Sequence, residues 1–314
     1  MERVGWGAHG VGVRHGSGSG RAARRGAVVV ALCALLVSLA APAPAQAQAN
    51  ARAELTVLGV NALLGGVTSG TVALIQGRPF FRAFGLGLAG GTLVYGGKRF
   101  ASWYGVPGSG VAGRFFTAVG ASMIRNGAAG RGAFDLVLLP VGPLTVYLRP
   151  ANDTTHAPVK LNLLRTALLT ALIIRKDFRL DPGATLHAGT PIFDRRGGVV
   201  RQTPGSITLG LSVGGVVMLS DLDDRRLRGR ILRGELIAHE RVHVLQEDFA
   251  GIAWAGPIES WLLGQLPGGA WLRRYVEPGL LGLAAAAVAL WAGGGEGPWE
   301  READYMESAW DVGP

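Results

Sequence analysis

The stretch His239-Glu240-Arg241-Val242-His243 constrains the fold of this chain more than any other. Ile231, Leu232, Leu236, Val242, Leu245 and Phe249 give the surrounding segment one apolar side at helical spacing, so a helix with a buried face is expected. On a helix, residues four apart share a face, with Cβ atoms roughly 5–6 Å apart. Two imidazoles so placed reach one metal ion, and Glu240, about a quarter turn away, can act on a metal-held water without being a ligand. Two ligands do not complete a site. Another part of the chain must return with a third donor, which restricts how the chain can usefully pack.

Trp299-Glu300-Arg301-Glu302-Ala303-Asp304 supplies that donor. Glu300 and Asp304 are four apart and face one way on a helix. A carboxylate from Glu300 completes a set of two His and one Glu and leaves a fourth position for water. Asp304 can accept a hydrogen bond from the imidazole nitrogen that does not bind metal, fixing the ring. Glu302 is an alternative ligand, but it faces away from Asp304. Cys33 is the only cysteine and falls in the N-terminal leader, so any metal site uses His and carboxylate. Zn2+ is the expected ion.

H-E-x-x-H followed by E-x-x-A-D resembles the gluzincin metallopeptidases, the clan that includes thermolysin and the integral-membrane prenyl-protein and heat-shock endopeptidases. Residues 238–246 resemble small bacterial metallopeptidase-like domains with H-E-x-x-H-x-x-Q. The likeness covers residues from about 207 to 310. It implies zinc held by His239, His243 and Glu300, with Glu240 as general base and Asp304 as hydrogen-bond partner behind the metal. It further implies that Val216–Leu219 is the strand beside the cleft, along which an extended peptide binds by strand addition. In such a site zinc acidifies water and polarises the carbonyl, while Glu240 carries the proton to the leaving amine. Tyr275, Tyr305 and His187 carry donors that could stabilise an oxyanion, and each also has a plainer structural reading.

Composition sets the frame. Apolar residues make up 48%, charged residues 17%, and 50 of 314 residues are Gly. Disorder is excluded, and close helix packing or membrane contact is indicated. Residues 1–49 read as a signal peptide: Arg21, Arg24 and Arg25, the apolar run Gly26–Ala40, then repeated A-x-A sites. Export to the periplasm or cell envelope is expected. The 31 basic and 22 acidic residues give +9, and removing the five Arg and one Glu of residues 1–49 leaves +5. No basic stretch is interleaved with aromatics, so nucleic acid is not an expected partner. The expected partner is a peptide or protein substrate.

Leu55–Gly77 carries no charge and Phe84–Gly97 places Gly87 and Gly91 four apart, which reads as two helices packed on each other. Membrane association, peripheral or integral, stays open, with packing inside the protein favoured over true spans. A third helix is expected near Val111–Arg125. Two short apolar runs around Pro140-Val141-Gly142-Pro143 read as a hairpin. Leu161–Ile174 reads as a helix and Asp181-Pro182-Gly183 as a turn. Leu186–Phe193 and Ile207–Leu219 read as strands, the latter bent or bulged at Gly214-Gly215. Of the apolar runs Phe249–Leu272 and Pro278–Gly295, neither is expected to cross a membrane; one crossing alone would part His239 from Glu300.

The smaller readings are these. Gln246 braces its helix, Arg241 is a solvated or lid-facing charge, and His156 lies in a polar loop apart from the metal. Asp221, Asp223 and Asp224 form a solvated connector rather than a calcium loop. The expected organisation is a leader over 1–49, a Gly-rich helical region over 50–132, and a zincin-like domain over 133–314. The fold class is α+β: Gly-rich helices, a small mostly antiparallel sheet, then the helical active-site portion. A zinc-dependent endopeptidase follows. Its rivals are a non-catalytic, membrane-associated envelope protein with a structural zinc, and a Gly-rich scaffold with no metal.

Overall fold

The structure, a computed structural model, describes residues 47–148, 158–203, 206–220, 233–281, 284 and 298–308. Residues 1–46 of the leader with Cys33, His156, the Asp221–Asp224 cluster, Ile231, Leu232 and most of the apolar run 282–297 lie outside these residues. Within them the fold is α+β.

Three helices come first: α1 (Ala47–Ile75), α2 (Phe80–Ala101) and α3 (Ser109–Ala128). α2 packs on α1, as the glycine spacing predicts, and on α3 as well. The approach leaves no room for side chains: a Cβ on Gly91 would lie 2.2 Å from the Asn61 carbonyl oxygen of α1. Such contact between backbones is what small residues permit. Ala51–Ile75 is long and apolar enough to cross a membrane by length and composition, with 33% of its most apolar window buried within the protein.

β1 (Val137–Val141) and β2 (Leu144–Leu148) form the expected hairpin, with Val141 opposite Leu144. β3 (Val159–Asn162) adds antiparallel to β2. The side chain of Asn162 caps the backbone N–H of Arg165 and starts α4 (Leu163–Ile174). The second sheet has the order β4 (Phe178–Leu180), β5 (Ile192–Arg195), β9 (Val216–Leu219), β8 (Gly210–Val213). Between β5 and β8 lie the paired strands β6 (Arg201–Thr203) and β7 (Ser206–Thr208).

Three strand expectations need correction. Among the described residues the single sheet expected is two four-stranded sheets and a ribbon; pairing is mostly antiparallel, as expected, with one parallel pairing in each larger sheet. Parallel partners need long crossovers, and such connections are invisible to a local reading. Leu186 to Ala188 is not strand but the end of α5 (Pro182–Ala188). Asp181 is its N-cap, accepting from the Ala184 N–H at 2.9 Å, Pro182 opens the first turn, and Gly189 closes it at φ 70°. The presumed turn at Asp181-Pro182-Gly183 is thus a helix start. Ile207–Leu219 is also no continuous strand. Gly214 and Gly215, at φ 60° and 75°, form the two-residue turn joining β8 to β9.

The motif helix, α6 (Arg233–Ala250), runs through the middle of the molecule. Phe249 joins the core made with Val94, Ile124 and Leu138. Leu236, Ile237 and Val244 join that of Ile192, Val217 and Leu219. Val242 meets Tyr95, Ala303 and Met306. Burial on three sides holds α6 in one rotation, and so aims its polar residues. A π-helical turn (Gly251–Ala255), α7 (Gly256–Gly264), α8 (Gly269–Tyr275) and β10 (Val276–Glu277) follow, and β10 pairs parallel to β3. The last described element is α9 (Pro298–Ser308). The Gly-rich helices do not stand apart: α2 and α3 both pack on α6.

Candidate metal centre

α6 and α9 pack side by side through Val242, Ala303 and Met306. That contact brings Glu300 to both histidines. The Nε2 atoms of His239 and His243 are 3.1 Å apart. Glu300 Oε1 lies 3.2 Å from His239 Nε2, and its Oε2 lies 3.1 Å from His243 Nε2. The three side chains can each offer one ligand atom, all within 4.8 Å of one another. A tetrahedral zinc with bonds of about 2.0–2.1 Å sets its donors about 3.3 Å apart. The observed separations therefore suit such an ion with shifts of a few tenths of an ångström.

The remaining ring nitrogens are held from behind. His243 Nδ1 pairs with Gln246 Oε1 at 2.8 Å. His239 Nδ1 lies 3.0 Å from Glu307 Oε2 and 3.4 Å from Asp304 Oδ1. Both Nε2 atoms are thereby left facing Glu300. Asp304 is the more exposed of the two acids, with 62% of its side chain open to solvent against 26% for Glu307. Glu307 was not singled out from the sequence. Its position three residues beyond Asp304 and seven beyond Glu300 places it on the same helical face, which is the signal that could have found it.

The electrostatics fit a cation site. Burial alone would lower the His239 pKa, but hydrogen bonds to Glu300 and Glu307 outweigh it and push it up to about 10. His243 is also raised, burial being overcome by Glu300 and Glu240. Hydrogen bonds from both rings hold the Glu300 carboxyl well below the usual carboxylate range. The cluster thus draws positive charge, which protons or a divalent ion can provide. The side chains of His239 and His243 are 10% and 13% exposed, so the site opens to solvent chiefly beside Glu300.

Glu240 is buried, and burial raises its pKa against the opposing pull of His243 and His239. It lies against Gly210 at the start of β8: a Cβ there would come within 2.4 Å of Glu240 Oε1. The strand that touches Glu240 is β8, while Val216–Leu219 packs on α6 through Val217 and Leu219. β9 is hydrogen-bonded on both sides, to β5 and β8. Among the described residues β8 pairs only with β9, leaving its outer edge open.

Glu302 points away from the imidazoles. It accepts from Asn61 Nδ2 at 2.7 Å, Lys98 Nζ at 2.8 Å and Gln246 Nε2 at 2.8 Å. Gln246 also donates to the Trp299 carbonyl at 3.1 Å, so it braces α6 against α9. Lys98 is 3% exposed. These contacts fasten α1 and α2 to the centre.

The other site expectations fare unevenly. Arg241 is not solvated but 2% exposed, because α6 is enclosed on the side away from α9 as well. Burial pushes its pKa down to about 10, so it keeps its charge at neutral pH. His187 Nε2 contacts the Tyr104 carbonyl, Tyr305 donates to Glu54, and Tyr275 packs on Trp271 at the end of α8. Each of these three is thus engaged in a structural contact.

No family model, curated protein or solved structure matches this chain.

Proposed function

We propose that this protein is a zinc-dependent metalloendopeptidase of the cell envelope. The observation that carries the reading is the convergence of His239 Nε2, His243 Nε2 and the Glu300 carboxylate at 3.1–3.2 Å, with Glu240 on the same turn. His239, His243 and Glu300 would hold the ion. Zinc, when bound, supplies Lewis acidity for the carbonyl and for water. Glu240 takes a proton from the attacking water and gives it to the departing amine. Its raised pKa suits both halves of that transfer. Glu307 and Asp304 orient His239, and Gln246 orients His243. An extended peptide fits the open edge of β8, with Gly210 letting its backbone pass close to Glu240. The zincin-like character of the α6–α9 pair rests on the same geometry. Export rests on residues 1–49, and membrane association on the apolar length of α1.

A second reading is favoured by the bracing around Glu302, Gln246 and Lys98, which suits zinc that only ties α6 to α9 in an envelope protein without turnover. One substitution separates the two. Zinc is measured by plasma mass spectrometry, and cleavage with a fluorogenic peptide library. Glu240→Gln is expected to keep near-stoichiometric zinc and lose hydrolysis. Hydrolysis equal in wild type and Glu240→Gln, or absent from both with zinc bound, would refute the enzyme. Absence of zinc from wild type purified without chelator would refute both readings.

A further inference from the structure

We propose that the protein holds one monatomic anion, chloride, in a small cavity between α3, α5 and α6, at Arg241 and Arg114. The site is independent of the metal reading and involves different side chains.

Among the described residues Arg241 has one hydrogen bond, from Nη2 to Ser109 Oγ at 3.1 Å, and its buried Nε and Nη1 have no acceptor. Arg114, 7% exposed, donates from Nε to Asp248 at 2.8 Å and from Nη1 to the Gly189 carbonyl at 3.0 Å. Its Nη2 is likewise buried without an acceptor. Both arginines line one small cavity, together with Gly110, Ala188 and Thr190. Its volume of about 10 Å³ is the least that admits one water-sized species, so a chloride needs the lining side chains to give slightly.

The charge is unbalanced in the same place. Asp248 pairs with two cations, Arg114 and Arg165, of which Arg165 is also balanced by Glu247 and Glu277, whereas Arg241 has no such neighbour. Among the described residues no carboxylate pairs with Arg241. A buried charge without a counter-charge is costly, and an unmet buried N–H adds to the cost. Water would accept from the donors but bring no charge, and its own hydrogens would then need acceptors. A monatomic anion in the cavity would supply the missing charge, accept from the arginine N–H groups that face it, and have no hydrogen to place. Phosphate and sulfate exceed the space. Bound there, chloride would tie the turn carrying His239 and His243 to α3 and α5.

The test uses the purified full-length protein. Thermal unfolding is followed in sodium chloride, sodium bromide and sodium gluconate at equal ionic strength. A saturable rise in Tm of roughly 5 °C is expected with chloride and bromide over gluconate. Crystals grown in bromide should give an anomalous peak within hydrogen-bond distance of both Arg241 and Arg114. Arg241→Met, which removes the charge, should lose the halide response if it folds. If it does not fold, the wild-type measurements decide. Equal Tm in chloride and gluconate, a water in the cavity, or bromide found only elsewhere would each overturn the proposal.

Discussion

Gly210 lies against Glu240 so closely that a Cβ at position 210 would sit 2.4 Å from the carboxylate Oε1. β8 and the motif turn are thus fitted together with no space for a methyl group. Gly210→Ala must move either the strand or the acid. A stability loss of about 1–3 kcal/mol is expected from the overpacking. Zinc content should hold while peptide hydrolysis falls at least about tenfold, the equivalent of about 1.4 kcal/mol in the barrier. Urea unfolding, metal analysis and the fluorogenic library measure the three. Unimpaired hydrolysis would show that the position of Glu240 is not critical.

The two acids behind His239 should differ. Glu307 is nearer and better shielded than Asp304. Glu307→Gln is expected to weaken zinc binding about 10–100-fold, and Asp304→Asn by less. Competition with a chromogenic chelator gives both affinities. The reverse order would return the role to Asp304.

Lys98 and Glu302 form a buried ion pair at 2.8 Å. Lys98→Met strands the Glu302 carboxylate and should cost about 3–5 kcal/mol. The double variant Lys98→Met, Glu302→Gln should recover much of that loss, because neither residual group then carries an unpaired charge. Urea midpoints of the single and double variants form the check. Equal losses in both would place the cost in packing rather than charge.

Glu247 offers a pH signature. Burial raises its pKa from 4.5 to about 7, against the lowering effects of the Gly215 N–H and Arg165. The folded protein therefore binds more protons than the unfolded chain between those values. The contribution to stability is complete below pH 4.5 and is lost as pH rises toward about 7. At about 1.36 kcal/mol per pH unit the loss is roughly 3 kcal/mol. Glu247→Gln should be less pH-dependent than wild type across that window, as read by urea unfolding. Parallel pH curves would mean that Glu247 ionises as it does in the unfolded chain.

Gly91 tests the helix packing. A Cβ there would lie 2.2 Å from the Asn61 carbonyl oxygen, and backbone cannot swing aside as a flexible side chain can. Gly91→Ala should destabilise by about 1–3 kcal/mol or more. Gly59, which has open space around its Cβ position, should accept Ala with no loss and serves as the control. Circular dichroism melts distinguish them.

The helices and the candidate centre were the most legible parts. Periodic apolar residues and glycines marked α1 to α3, and the four-residue spacings marked His239 with His243 and Glu300 with Asp304. Strands were harder. Asp181-Pro182-Gly183 serves equally well as a turn or a cap, and only the hydrogen bond to the Ala184 N–H selects between them. Arg241 reads as an exposed charge because nothing nearby in the chain reveals that α3 and α5 close over it. Glu307 escaped notice because its value lies in its distance from a ring on another helix.

Residue type and spacing alone established which donors could share a face, because a helix repeats the same geometry wherever it forms. Only the tertiary structure decided which faces meet. The packing of Val242, Ala303 and Met306 brings Glu300 to the imidazoles and turns Glu302 toward Lys98. β9 is paired on both edges, and among the described residues β8, which touches Glu240, pairs only with β9. Those choices depend on contacts between distant segments, whose energies are set by the whole packed interior rather than by any local run of residues.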